Sequence, residues 1–142
     1  MKKICAFVGQ RDVQHGMDRL LENVLTDLIE NHQVSLFFVG DQGEFNRLVG
    51  RTLRKMQKKY VHIQYYVVLA CMMPYEEDDE KTLVPPIMGE TFLDAVFQRN
   101  RWMLSQATYI VSYVVNSIDD ASADKEFALQ HGKTVIELSE LL

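Results

Sequence analysis

Short apolar runs and helical stripes alternate along this chain. Ile4 to Val8 is an apolar run of strand length ending at Gly9, and Ser35 to Val39 repeats the pattern and ends at Gly40. Between them Met17, Leu20, Leu21, Val24, Leu25, Leu28 and Ile29 recur at spacings of three and four, which places one apolar stripe on a helix from about Met17 to Asn31. Phe45, Leu48, Val49, Leu53, Met56 and Tyr60 make a second amphipathic helix, followed by a strand from Ile63 to Ala70. A helix near Thr91 to Ser105 precedes a strand at Tyr109 to Val115. A last helix near Ser122 to His131, closed by Gly132, precedes a strand at Thr134 to Leu138.

Strands that alternate with helices and read as continuous hydrophobic runs imply a parallel sheet covered on both faces. The pattern therefore predicts an α/β fold, a doubly wound parallel sheet of about five strands with helices on both faces, spanning 1–142 as one domain. One connection departs from it. Residues 71–90 carry the acidic run Glu76 to Glu80, then Pro85, Pro86 and Gly89, and a loop this long inside a compact domain is a functional lid or a disordered segment.

The 142 residues, 47% hydrophobic and 25% charged, suit one packed domain and exclude disorder and fibrous repeats. Twenty acidic residues against fifteen basic ones give a net charge of −5, which weighs against general nucleic-acid binding, because attraction to phosphates needs a basic surface. No apolar run approaches the roughly 20 residues that span a bilayer, and no basic-then-apolar leader precedes Ile4, so a cytoplasmic protein without a membrane partner is expected. Cys5 and Cys71 lie in apolar runs without metal-ligand spacing and read as buried thiols. The charge is uneven. Arg47, Arg51, Arg54, Lys55, Lys58 and Lys59 fall in a stretch without an acid, just before the acidic run, either as a solvated helix face or as a surface that meets the run across a homo-oligomer.

In an open parallel sheet, ligands bind beyond the carboxyl ends of the strands, where the winding reverses. The loops there read Gly9-Gln10-Arg11-Asp12, Gly40-Asp41-Gln42-Gly43, Met73-Pro74-Tyr75 and Asn116 to Asp120. Gly9, Gly40 and Gly43 permit close backbone approach, and Gly43 stands before a helix whose free amides favour anions; taken alone, each reads first as turn punctuation. Their spacing is not the Gly-x-Gly-x-x-Gly dinucleotide fingerprint. Arg11 could grip a phosphate or carboxylate with two hydrogen bonds. Arg99 falls in the core-facing row Phe92, Val96, Met103 and Ala107, and an inward cation needs either an acidic partner or an anionic ligand. Asn100 falls in the adjacent row with Leu93, Phe97 and Leu104, while Arg101 is expected to face solvent. No hydrolytic triad, phosphate-binding loop or paired-cysteine motif occurs, and the four histidines are scattered.

Three segments resemble a known family. Cys5-Ala-Phe-Val-Gly9-Gln10-Arg11, Phe38-Val39-Gly40-Asp-Gln42-Gly43-Glu-Phe45-Asn46 and Arg99-Asn100-Arg101-Trp102-Met103 are similar, in order, to conserved segments of the YpsA-like branch of the SLOG superfamily. These are Rossmann-like proteins related to the LOG phosphoribohydrolases and to DprA. The resemblance implies a pocket for a nucleotide or nucleotide-derived ligand at the strand ends. Gly9, Gln10, Arg11, Gly40, Gln42, Gly43, Phe45, Arg99 and Asn100 would contact it, with Pro74, Tyr75 and Asn116 from the neighbouring loops. Some branches hydrolyse an N-glycosidic bond; others sense or hold a signalling nucleotide.

Two departures bear on function. Gln10 stands where the family has a histidine, which removes a titrating imidazole. Asp119 and Asp120 stand where the superfamily has a glycine-rich phosphate turn. They cap a helix but repel phosphate unless a divalent cation bridges, the one cofactor the residues allow for. Non-catalytic binding, as a sensor or a sequestering protein, is therefore the first expectation. The alternatives are a LOG-like hydrolase using Asp120 or Glu126, and a homo-oligomeric interaction protein without a ligand.

Overall fold

The computed structural model describes residues 2–9, 13, 16–70, 81–87, 89–115 and 120–142. The elements follow in the order β1 (Lys3–Gly9), α1 (Met17–His32), β2 (Val34–Gly40), α2 (Glu44–Lys59), β3 (Gln64–Val68), β4 (Thr82–Leu83), α3 (Phe92–Gln106), β5 (Tyr109–Tyr113), α4 (Asp120–Gln130) and β6 (Thr134–Glu137). All six strands are parallel, in the order β4-β3-β2-β1-β5-β6. The fold is the doubly wound α/β sheet that the alternating pattern predicts.

The sixth strand is β4, two residues within the segment read as a loop or lid. It pairs Thr82 with Val67 and Leu83 with Val68 at the sheet edge. Two residues before a pair of prolines carry no periodicity, so only the exposed edge of β3 selects them.

Central strands are buried on both faces, which is why they read as unbroken apolar runs. In β1, Cys5 and Phe7 join one core with α1 and α2, whereas Ala6 and Val8 join a second with α3 and α4. The first core is rich in rings: Phe45 stacks on Tyr113 and meets the edge of Phe7, which in turn stacks on Phe37. Cys5 is a fully buried free thiol, and burial pushes its pKa far up. Cys71 lies outside the described residues. Among the described residues no helix is long and apolar enough to cross a membrane.

The seating of α3 differs from the expected rows. Thr91 caps the helix, its hydroxyl accepting the Asp94 amide. The buried residues of the helix are Ala95, Arg99, Met103 and Leu104, whereas Phe92, Leu93 and Phe97 are all at least half exposed. The first turns of the helix pack against Gly89: a Cβ added there would come within 2.7 Å of the Ala95 backbone and Cβ. The aromatic residues are left on the flanks.

Gly9 serves the same need on the other face. A Cβ there would stand 2.0 Å from the Phe45 ring, so the bare backbone is what admits that ring beneath the end of β1. Gly9→Ala is expected to lower stability by about 1–3 kcal/mol in urea unfolding. Phe45→Leu in the same chain should recover part of that loss; strictly additive effects would show that the ring is not what the new methyl meets.

Candidate functional site

The chain winds outward from β1 through β2 and β3, then returns to β5 on the other side of β1. A crevice opens at that reversal because the flanking connections leave in opposite directions. It holds a cavity of about 360 Å³, lined by Phe7, Val8 and Gly9 of β1 and by Gln42, Gly43 and Asn46 at the start of α2. Val96, Arg99, Asn100, Met103 and Leu104 of α3 and Asp120, Ala121 and Asp124 of α4 complete the wall.

Arg99 is 2% exposed. Its Nη1 donates to Asp41 Oδ1 at 2.6 Å and to the Val68 carbonyl at 2.8 Å, and its Nε donates to Asn100 Oδ1 at 2.7 Å. Arg99 has the acidic partner that an inward cation needs, Asp41, and it also lines the cavity that holds Gly9 and Gly43 in its wall. Its Nη2 has no hydrogen-bond partner among the described residues. Gly40 leaves room for Asn46, since a Cβ there would lie 2.8 Å from Asn46 Nδ2, while it would meet the Arg99 guanidinium carbon at an ordinary contact distance of 3.5 Å.

The polar chain continues across α3 to α4. Asn100 Nδ2 donates to Asp124 Oδ2 at 3.2 Å, and Arg101 Nε donates to Asp124 Oδ1 at 3.1 Å. Arg101 was expected to face solvent. Instead it is partly buried, with its guanidinium between the rings of Phe97 and Phe127 at 4.6 and 4.3 Å from their centroids. A planar cation next to a buried carboxylate, with rings on either side, gains more there than in water. Burial pushes the Asp124 carboxyl above the usual aspartate range, outweighing the hydrogen bond and charge of Arg101 and the Asn100 amide; the nearby Asp120 charge adds to the rise.

At the other end, Asn46 Nδ2 donates to the Gln42 carbonyl at 2.5 Å and closes the turn into α2. Gly43 sits at φ 89°, a conformation that favours glycine, and no side chain caps the helix it begins.

Of the expected ligand contacts, Gly9, Gln42, Gly43, Arg99 and Asn100 line the cavity. Gly40 lies beneath it, against Asn46 and Arg99. Phe45 is buried in the first core and is not part of the lining. Gln10, Arg11, Pro74, Tyr75 and Asn116 lie outside the described residues. Of the candidate catalytic carboxylates, Asp120 lines the cavity, whereas Glu126 is exposed on α4 and does not. Asp124 was passed over in the sequence. The signal for it was spacing: Asp120, Asp124 and Ala128 share one face of α4, and Asp124 and Ala128 are its buried residues.

Asp119, half of the expected divalent-cation site, lies outside the described residues. Among the described residues no group of three or more His, Cys, Asp or Glu side chains is placed to hold a metal. On α2, Arg47, Arg51, Lys55, Lys58 and Lys59 are exposed, and Lys55 pairs with Glu22 of α1; the acidic run 76–80 is outside the described residues.

No family model matches the chain, and no curated protein matches it by sequence. Among solved structures, DNA processing protein A (DprA) from Streptococcus pneumoniae matches over 96% of this chain with a TM-score of 0.70 and 12% identity. The molybdenum cofactor carrier protein from Chlamydomonas reinhardtii matches over 96% of it with a TM-score of 0.56 and 13% identity, and over 76% of its own length. The chain spans 50% of the length of that DprA. At these identities the likeness is one of fold alone, a Rossmann-like parallel sheet with helices on both faces.

A second buried carboxylate, Glu137 at the end of β6, makes an ion pair with α4. Glu137 accepts from Ser112 Oγ at 2.6 Å, from the amides of Val114 and Ser139 at 3.0 Å each, and pairs with Lys125 of α4 at 3.0 Å. Burial alone would push its carboxyl up, but the hydrogen bonds from Ser112, Ser139 and Val114 prevail and hold it below its ordinary value. A carboxyl depressed in the folded state stabilises above its unfolded pKa, and that stability is lost as pH falls through the folded value. Asp124, raised in the folded state, works with the opposite sign. Urea denaturation from about pH 6 to pH 3 should therefore show a steeper acid loss in the wild type than in Glu137→Gln; parallel curves would contradict the assignment.

Proposed function

We propose that the chain binds a nucleotide or nucleotide-derived ligand in the cavity beyond β1, holding or sensing it without turning it over. The observation that carries this reading is Arg99. A guanidinium buried at the winding reversal, in the same cavity wall as Gln42 and Gly43 and with Nη2 outside its hydrogen bonds to the described residues, is suited to an anionic or carbonyl group of a small ligand. The segments at Gly9, Gly40 to Asn46 and Arg99 to Met103 support membership of the YpsA-like branch. The fold shared with a cofactor carrier protein is consistent with binding that does not require chemistry. The fold shared with a DNA processing protein raises a nucleic-acid partner. The net charge of −5 and a lining that includes Asp120 and Asp124 favour a small ligand over a phosphate backbone.

A thermal-shift panel of nucleoside monophosphates, cyclic nucleotides and ADP-ribose tests this. A ligand present at 100 times its Kd adds about 2.7 kcal/mol, which for a chain of this length is a rise in Tm of roughly 8 °C. Val96→Phe, which adds a ring to the cavity wall, should abolish the rise. Silence across the whole panel would defeat the proposal.

Hydrolysis of an N-glycosidic bond is the second reading, and the pair Asp120 and Asp124 favours it. Two carboxyls in unlike environments, one raised by burial and one exposed, can divide the roles of acid and base. Chromatography for free base after incubation with nucleoside monophosphates separates the readings. Holding predicts no base released. Hydrolysis predicts release that Asp124→Asn abolishes and Glu126→Gln leaves unchanged.

A further inference from the structure

The two edges of the sheet are guarded unequally. The β4 edge is two residues long and runs into Val84-Pro85-Pro86, which offers a further strand few partners. At the other edge β6 pairs with β5, and its outer side meets no strand among the described residues. Lys133, the residue placed to guard this edge, turns its ammonium to the Ser105 carbonyl at 3.1 Å.

Which backbone groups are left on that outer side follows from the ladder. The Thr134 amide donates to the Thr108 carbonyl at 3.1 Å, so the amides of Thr134 and Ile136 face β5. Planar trans peptides then turn outward the Lys133 carbonyl, both groups of Val135 and the Glu137 amide. The Lys133 amide is engaged by the Ala128 carbonyl at 3.0 Å, and the Glu137 carbonyl begins the 3-10 turn Leu138–Glu140.

These four outward groups are self-complementary. An antiparallel copy centred on Val135 exchanges two hydrogen bonds between the two Val135 residues and adds one from each Glu137 amide to the other copy's Lys133 carbonyl. A register shifted by two residues either way leaves half of the groups unpaired. On the face toward α1, the same alignment sets Thr134 of one copy opposite Ile136 of the other. Both residues line an apolar groove of about 430 Å³ with Val24, Leu28, Tyr109 and Leu141, so the two grooves become continuous across the axis. Backbone pairing of so few residues is marginal in water, and burial of these grooves supplies what it lacks.

The geometry points to a second copy of this chain as the occupant of the β6 edge, in an antiparallel β6 to β6 pair with its two-fold axis at Val135. Charge agrees with that direction. Lys133 of one copy stands against the end of the other that carries Glu137 and Glu140, whereas a parallel pair would align like charges. The groove opens at the starts of β5 and β6, the opposite end of the sheet from the ligand cavity, so each copy keeps its cavity.

Sedimentation velocity from micromolar to submillimolar concentration should show the chain passing to a dimer. Hydrogen exchange at the two ends of that range should find the Val135 and Glu137 amides slowed in the dimer, with Thr134 and Ile136 protected in both states. Thr134→Lys changes a position exposed in the single chain and places a charge in the seam. It should raise the dimer dissociation constant by about tenfold or more. Val135→Pro removes an amide that the single chain does not use and should leave only monomer. A chain that stays monomeric throughout overturns the proposal. So does a dimer whose Val135 and Glu137 amides exchange as fast as in the monomer, or one as tight in Thr134→Lys as in the wild type.

Discussion

A buried cation has to be matched by its surroundings, and in this molecule the matching of Arg99 organises the end of the sheet where the winding reverses. Removing a guanidinium from water costs several kcal/mol unless charge and hydrogen bonds replace the lost hydration. Here the replacement comes from separate parts of the chain: Asp41 after β2, the Val68 carbonyl at the end of β3, and Asn100 on α3 itself. Seating α3 therefore also places the β2 to α2 turn. Through Asn100 and Asp124, the same chain of contacts reaches α4.

The glycines take their meaning from this arrangement. Gly40 is small so that the Asn46 amide can approach, and Gly9 is small so that Phe45 can close the opposite core beneath the cavity. Neither needs a ligand to explain it. Only Gly43, at positive φ before an uncapped helix, bears on the cavity through its backbone conformation. Residues that a motif groups as a binding signature thus divide into those that shape the floor and those that face the space above it.

Much of the fold was legible because both faces of the central strands are buried and each helix needs one apolar stripe. Runs at Ile4 to Val8 and Ser35 to Val39, and stripes at spacings of three and four, follow from that alone. The inward position of Arg99 was legible too, since apolar residues flank it at helical spacing. Its partner was not, because Asp41 lies 58 positions away and nothing local singles it out. Asp124 was obscured by a helix with almost no apolar stripe, and Arg101 by the assumption that a charge opposite the core row meets water.

What the sequence by itself determined is the kind and order of elements, the parallel sheet, and the strand ends as the place where chemistry can sit. These depend on periodicity and burial, which are properties of neighbours along the chain. Tertiary structure alone decided the rotation of α3 onto Ala95, the addition of β4 at the edge, and the enclosure of Arg101 by two rings. It also decided the electrostatic character of the cavity, because charges cancel or accumulate by distance in space. Whether Arg99 is neutralised by Asp41, and how Asp124 is held by Asn100 and Arg101, is settled only once residues far apart in sequence share one wall.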